Sequence, residues 1–171
     1  PPEAYPPRGE YIRLMTPERF IAAANEVLTS AAATWPAERY KPELFAAMAP
    51  LVQTRVVVMA EVVAMVDFLF LEEPPIDEAA FTKSFSLDFT QPTLAEIAEA
   101  FERIDWNVES IKAAVEEVGA RHDVKLGKLQ GPLRIAITGR PVGPPLFEPI
   151  ELLGRQESLR RIRAALVRAT A

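Results

Sequence analysis

A chain of 171 residues, 49% hydrophobic and 25% charged, is long enough to bury a substantial core without covalent staples. It contains no cysteine, which excludes a disulfide framework, a thiol nucleophile and zinc–thiolate sites and leaves a cytoplasmic setting as the default. A net charge of −5 argues against a general nucleic-acid binder, yet residues 1–120 carry 9 Lys/Arg against 20 Asp/Glu and residues 121–171 carry 10 against 4, an asymmetry that suggests an anionic partner at one end.

The amino terminus, "PPEAYPPRGEY", has no initiator methionine and lacks the charged-then-apolar layout of a signal peptide, so the chain is expected to be part of a longer protein. Thr16-Pro17-Glu18 is a helix start: a capping oxygen, then proline in the first turn, where its missing N–H costs nothing. Phe20, Ala23, Ala24, Val27 and Leu28 follow at helical spacing. Pro42 opens a second helix, and Pro50 is expected to break or kink it. A long apolar helix is then expected over about 54–70. Three valines at 56–58 favour a strand locally, but the flanking periodicity favours the helix. Its longest apolar run, 56–71, is interrupted by Glu61 and Asp67 and falls short of the roughly 18 residues a membrane span needs, so no membrane partner is expected.

"LEEPPIDE" (71–78) packs two prolines and four acids into a surface turn and is the best boundary between two helical subdomains, 16–76 and 77–171, with 1–15 as a connector. Beyond it, "DEAAFTKSF" reads as a short helix. Thr93-Leu94-Ala95-Glu96 has the form of a capping box for a helix running to about Ile104. Asn107 caps the next helix, to about Arg121. Residues 125–138 form another with a bend at Pro132, and Gly139 ends it. Two more helices, joined at Gly154, close the chain. The fold class is therefore all-α, two consecutive helical bundles.

The sequence offers little for catalysis. His122, the one histidine, sits where it complements a helix dipole, and neither a second His nor a Cys exists to share a metal with it. The acid pairs Glu72–Glu73, Asp77–Glu78 and Glu116–Glu117 fall on turns or solvated faces, and no phosphate-cradling glycine motif occurs. What stands out is "GPLRIAITGRPVGPPLFEPIELLGR" (131–155). Pro141, Pro144 and Pro145 interrupt an apolar, helix-like run, and Arg134, Arg140 and Arg155 are spaced along it. It serves as a packed corner, with Leu146, Phe147, Leu152 and Leu153 in the core. It can also serve as a rigid loop whose backbone groups meet the edges of unpaired RNA bases while arginines contact phosphates.

Residues 131–166 resemble the carboxy-terminal end of the bacterial glutamyl-tRNA synthetase family, where a "PLR-x-A-x-TG" helix, a loop, "P-x-LFE" and "LLG" precede an arginine-rich last helix. The likeness extends to "W…VESIKAAVEEVGARHDVKLGKL" (106–129), to "PLVQTRVVVMAEVVAMVDFLFLE" (50–72) and to "GEYIRLMTPERF" (9–20), similar to that family's passage from strand to helix. The resemblance implies an anticodon-binding region in which Arg55 reads the third anticodon base and Arg134 the first. Gly143, Pro144 and Leu146 would enclose the middle base. Gly143 has no side-chain hydroxyl and Pro145 no N–H, so hydrogen bonds made by those groups in relatives are unavailable here. Arg140, Arg160, Arg161 and Arg163 are weaker candidates for RNA backbone contacts. The implied partner is tRNA(Glu), with tRNA(Gln) a second candidate, bound by a monomer, with no role for DNA. The family's His-x-Gly-His and Lys-Met-Ser-Lys-Ser-like signatures are missing, so no catalytic residue is expected here; ATP and Mg2+ would belong to a catalytic half elsewhere in the parent ligase. The rival reading is a helical protein–protein module that docks through the apolar face of 56–71 or the acidic face of 72–117.

Overall fold

In the computed structural model, which describes residues 9–171, every regular element among the described residues is helical. Residues 1–8 of the expected connector lie outside the described residues. The chain divides into two units between Glu72 and Glu73, inside the "LEEPPIDE" turn but ahead of the expected 76/77.

The first unit starts with a single turn, α1 (Glu10–Arg13), where the resemblance implied a strand. Ile12 is buried, and the Gln53 side chain donates to the carbonyls of Ile12 and Met15, both at 2.9 Å. Residues 9–15 are therefore tied to α3 within this unit. Thr16 caps α2 (Pro17–Leu28), its hydroxyl accepting from the Arg19 amide at 3.3 Å. α3 (Pro42–Gln53) runs on past Pro50 to Gln53, so the proline does not end it. The expected helix over 54–70 is broken. Residues around Val58 are extended (φ −127°, ψ 150°), Met59–Glu61 form a 3₁₀ turn, and only Val62–Phe70 make α4. Three β-branched residues in a row lose rotamer freedom in a helix. The Glu61 carboxylate takes up the stranded amides of Val57 (2.6 Å) and Val58 (3.4 Å). Val56 is buried, but Val57 and Val58 face outward.

Helices α2, α3 and α4 pack mutually around Phe20, Leu28, Phe45, Met48, Val52 and Val66, all with no exposed surface. Each such burial is worth roughly 1.5–3 kcal/mol. An aromatic group closes one end of this core: Phe70 lies 5.1 Å from Trp35 and 4.9 Å from Tyr40, and its carbonyl accepts from Arg39 Nε at 2.8 Å. The Tyr40 hydroxyl donates to Asn25 Oδ1. Burial, helped by the charge of Glu43, pushes the phenol from its ordinary value of 10.0 up to about 12. A proton held more tightly in the folded state stabilises it below the unfolded value and is lost as pH rises. Stability of this unit is therefore expected to fall between pH 10 and about 12, and Tyr40→Phe should flatten that limb. Chemical denaturation of both proteins across this range checks it.

The second unit contains α5 (Glu78–Phe85), α6 (Thr90–Phe101), α7 (Val108–Arg121), α8 (Leu126–Thr138), α9 (Phe147–Leu153) and α10 (Arg155–Ala169), with α10 packed along α6 and α8. Asp77 caps α5 through the Ala80 amide at 3.0 Å, and Asn107 caps α7 through Ser110 at 2.8 Å. The Thr93–Glu96 capping box does not form. α6 begins three residues earlier, at Thr90, and Thr93 is wholly buried with its hydroxyl donating to Phe89 O at 2.7 Å. Pro92 is the reason: it fits the first turn, whose amides need no intrahelical partner. The same helix stops at Phe101, not Ile104. α8 continues through Pro132 to Gly139, which ends it in the left-handed conformation (φ 80°). Gly154 (φ 86°) joins α9 to α10. His122 terminates α7 as expected and meets Glu96 Oε2 at 2.6 Å.

Candidate nucleic-acid interface

Loop 139–146 of the second unit is fixed by its own neighbourhood. Arg134, one turn from the end of α8, donates from Nη1 to the Pro144 carbonyl at 2.5 Å. Thr138 sends its hydroxyl back to the Arg134 carbonyl at 2.9 Å, and the same oxygen accepts from the Arg140 amide at 3.3 Å. With three prolines already limiting the backbone, these bonds hold the loop in one shape at little further entropic cost. Thr138 is a loop-setting residue that sequence reasoning missed; its position in "TG" just before the helix-ending glycine was the available signal.

The loop does not present all of its residues. Leu146 is 2% exposed and Pro144 is buried, so their side chains belong to the core together with Phe147 and Ile150. Leu152 and Leu153 are half-buried. What faces outward is the tip: Pro141 and Val142, the latter 76% exposed, flanked by half-buried Arg140, Gly143 and Pro145. Of the three residues implied to enclose a base, Gly143 is thus the surface member, lying beside the Arg134 guanidinium. The packed-corner reading holds for Pro144, Leu146 and Phe147, while Pro141 and Val142 stand at the surface.

The arginines of α10 are bound to the protein itself. Arg160 pairs with Glu157 at 2.7 Å and Glu73 at 3.1 Å. Arg163 pairs with Glu102, and Arg168 pairs with Glu78 while lying over the Phe81 ring. Arg161 is 5% exposed, with Nε on Glu157 at 2.9 Å and Nη1 on the Ile137 carbonyl at 2.7 Å. The hydrogen bond from Arg160, seconded by Arg161, holds the Glu157 carboxyl below its usual range, and burial lowers the Arg161 guanidinium from its own. Arg155 donates to the Phe101 carbonyl at 2.6 Å and lies over Trp106. Much of the charge asymmetry seen in the sequence is therefore satisfied by acids of residues 73–102. Lys125 and Lys128, at the start of α8, stay exposed.

In the first unit, Arg55 is exposed just past the end of α3. Its Nη1 holds the Leu51 carbonyl at 3.0 Å and Thr54 Oγ1 at 3.3 Å, which leaves three of its five N–H donors without a partner among the described residues. Exposed Tyr11, Leu14, Val57 and Val58 lie on the same unit. Among the described residues no three His, Cys, Asp or Glu side chains come together to hold a metal, and no helix is long and apolar enough to cross a membrane.

The sequence matches the anticodon binding domain family over residues 19–166. It is 48% identical over 162 residues to glutamate–tRNA ligase of Frankia casuarinae, covering 95% of this chain and 34% of that protein. To the ligase of Salinispora arenicola it is 48% identical over 165 residues, with 94% and 35% covered. The chain thus spans about a third of the length of these relatives. A crystal structure of a glutamate tRNA ligase from Elizabethkingia meningosepticum shares the fold with a TM-score of 0.74 at 23% identity, over 94% of this chain and 31% of that one. A protein-docking module without an RNA ligand is not what this match favours. With an all-helical architecture, a buttressed proline loop and a family match over most of its length, the chain belongs to the anticodon-binding domain family.

Proposed function

We propose that this chain is the anticodon-binding part of a glutamate–tRNA ligase, holding tRNA(Glu) so that a catalytic part elsewhere in the parent protein can charge the 3′ end. Activation by ATP with Mg2+ is assigned to that part. In this reading the chain works as a monomer in the cytoplasm, and tRNA(Gln) is the natural second substrate to test. The observation that carries it is the loop itself: Arg134 fixes the Pro144 carbonyl, and Pro141–Gly143 project beyond the core. Donor-only guanidinium groups at Arg55 and Arg134 suit acceptor atoms on base edges, while the stiff loop supplies backbone groups in set directions. Because so many α10 cations are internally paired, Lys125 and Lys128, exposed at the start of α8, are the chief candidates for the RNA backbone, with Arg140 beside the loop tip.

A stem-loop RNA bearing a glutamate anticodon should bind the 171-residue chain at least about tenfold more tightly than one with the anticodon replaced, a difference one good base contact can supply. Log affinity should fall with log salt at a slope of about −2, set by the few exposed cations and not by the +6 balance of the last 51 residues. Filter binding over a salt series measures both. Affinity indifferent to anticodon and to salt would end this reading.

A further inference from the structure

The base of the loop is held by two elements, the segment leading into α5 and helix α10. The first is the segment that leads into α5: the Asp77 amide donates to the Gly139 carbonyl at 2.8 Å. Gly139 lies so close to this segment that a Cβ there would stand 2.2 Å from the Pro75 carbonyl oxygen. The second is α10. Arg161 reaches across to the Ile137 carbonyl, two residues before Gly139, in the last turn of α8, where carbonyls have no helical partner. Its other edge is held by Glu157, which also holds Arg160, and Arg160 in turn meets Glu73 at the head of the same leading segment. A cavity of about 180 Å³, lined by Glu73, Ile76, Ile137, Gly139, Arg160 and Arg161 among others, lies where these parts converge. A planar guanidinium can bond a carboxylate and a carbonyl at once along different edges; an ammonium cannot reproduce that fork.

The geometry points to Arg161 as a positioning residue for the anticodon-reading loop: buried and out of reach of RNA, it sets the last turn of α8 from which loop 140–146 departs. This rests on the proposed function for its RNA readout but not for its structural one. It also moves Arg161 from a residue that would touch the RNA backbone to one that shapes the surface the RNA meets.

The test is Arg161→Lys in the full 171-residue chain, which keeps the charge opposite Glu157 and removes the fork. The ratio of affinities for matched and anticodon-replaced stem-loops, measured well below the melting temperature, should fall about tenfold, as expected for one lost charge-assisted bond. The salt slope should stay at the wild-type value. Amide exchange at Arg140, Val142 and Gly143 should quicken relative to α6 and α7. In Arg161→Met, which removes the charge, a salt slope reduced by about one would make Arg161 a phosphate contact and overturn the proposal. So would an unchanged ratio with unchanged loop exchange. If the wild-type chain itself fails to discriminate anticodons, the proposed function falls, and the exchange data alone decide the positioning role. Glu157→Gln, on the half-buried partner of the same bonds, should shift both readouts in the same direction by a smaller amount, and an absence of any shift counts against the proposal.

Discussion

Replacing Gly139 with alanine is expected to cost the second unit at least about 2 kcal/mol. The left-handed backbone alone penalises an L-residue by about 1–2 kcal/mol. The added Cβ would also stand 2.2 Å from the Pro75 carbonyl oxygen and 3.3 Å from Ile76 Cα, so the backbone has to move and the Asp77–Gly139 hydrogen bond with it. For a unit of this size the loss corresponds to a drop of roughly 10 °C in melting temperature. Calorimetry of Gly139→Ala against the parent chain measures it. Asparagine, which tolerates the left-handed region better, should be less harmful through its backbone but meets the same carbonyl. A Gly139→Ala protein that melts with the parent would show that the 75–77 segment is not seated against this corner.

Arg134→Met is expected to lower discrimination between matched and replaced anticodons by about 10–100-fold, the range of one or two charge-assisted contacts. Two losses add up in that figure. The guanidinium is removed from any base it meets, and the Pro144 carbonyl loses its donor, so the loop no longer keeps one shape. Binding to the replaced stem-loop should change little, because that affinity comes from backbone charge. Competition titration with a panel of stem-loops separates the cases. An equal loss across the panel would mean that Arg134 serves as a general phosphate contact. Melting should move less than for Gly139→Ala, since Arg134 is only half-buried.

How much of this was legible in the residues depends on how local each determinant is. Thr16 with Pro17, Asn107, Gly139 and Gly154 did what their neighbours in the chain dictate, because caps and glycine turns are settled within four residues. The segment at 54–70 misled because apolar content and helical period persist through it. The break depends on Glu61 folding back onto the Val57 and Val58 amides. Thr93 matched a capping signature in composition, yet a turn already started at Thr90 buried it. The proline pattern led to the loop and to Leu146 as a core residue, and the family resemblance gave Arg134 its implied role, but neither marked the burial of Pro144. Arg161 is the clearest case of information absent from local sequence. In "SLRRIRAALVRA" it looks like one more solvated cation, and only the packing of α10 on α8 puts it inside.

The bond between Arg134 and the Pro144 carbonyl makes the loop inseparable from the helix before it. Transplanting residues 139–146 alone into a related scaffold would deliver the prolines without the side chain that tethers them, and the recipient would inherit a bend of indefinite shape. A functional transplant has to begin no later than Arg134 and carry Thr138 along, so the natural unit of exchange at this corner is the last turn of α8 plus its loop, moved as a single cassette.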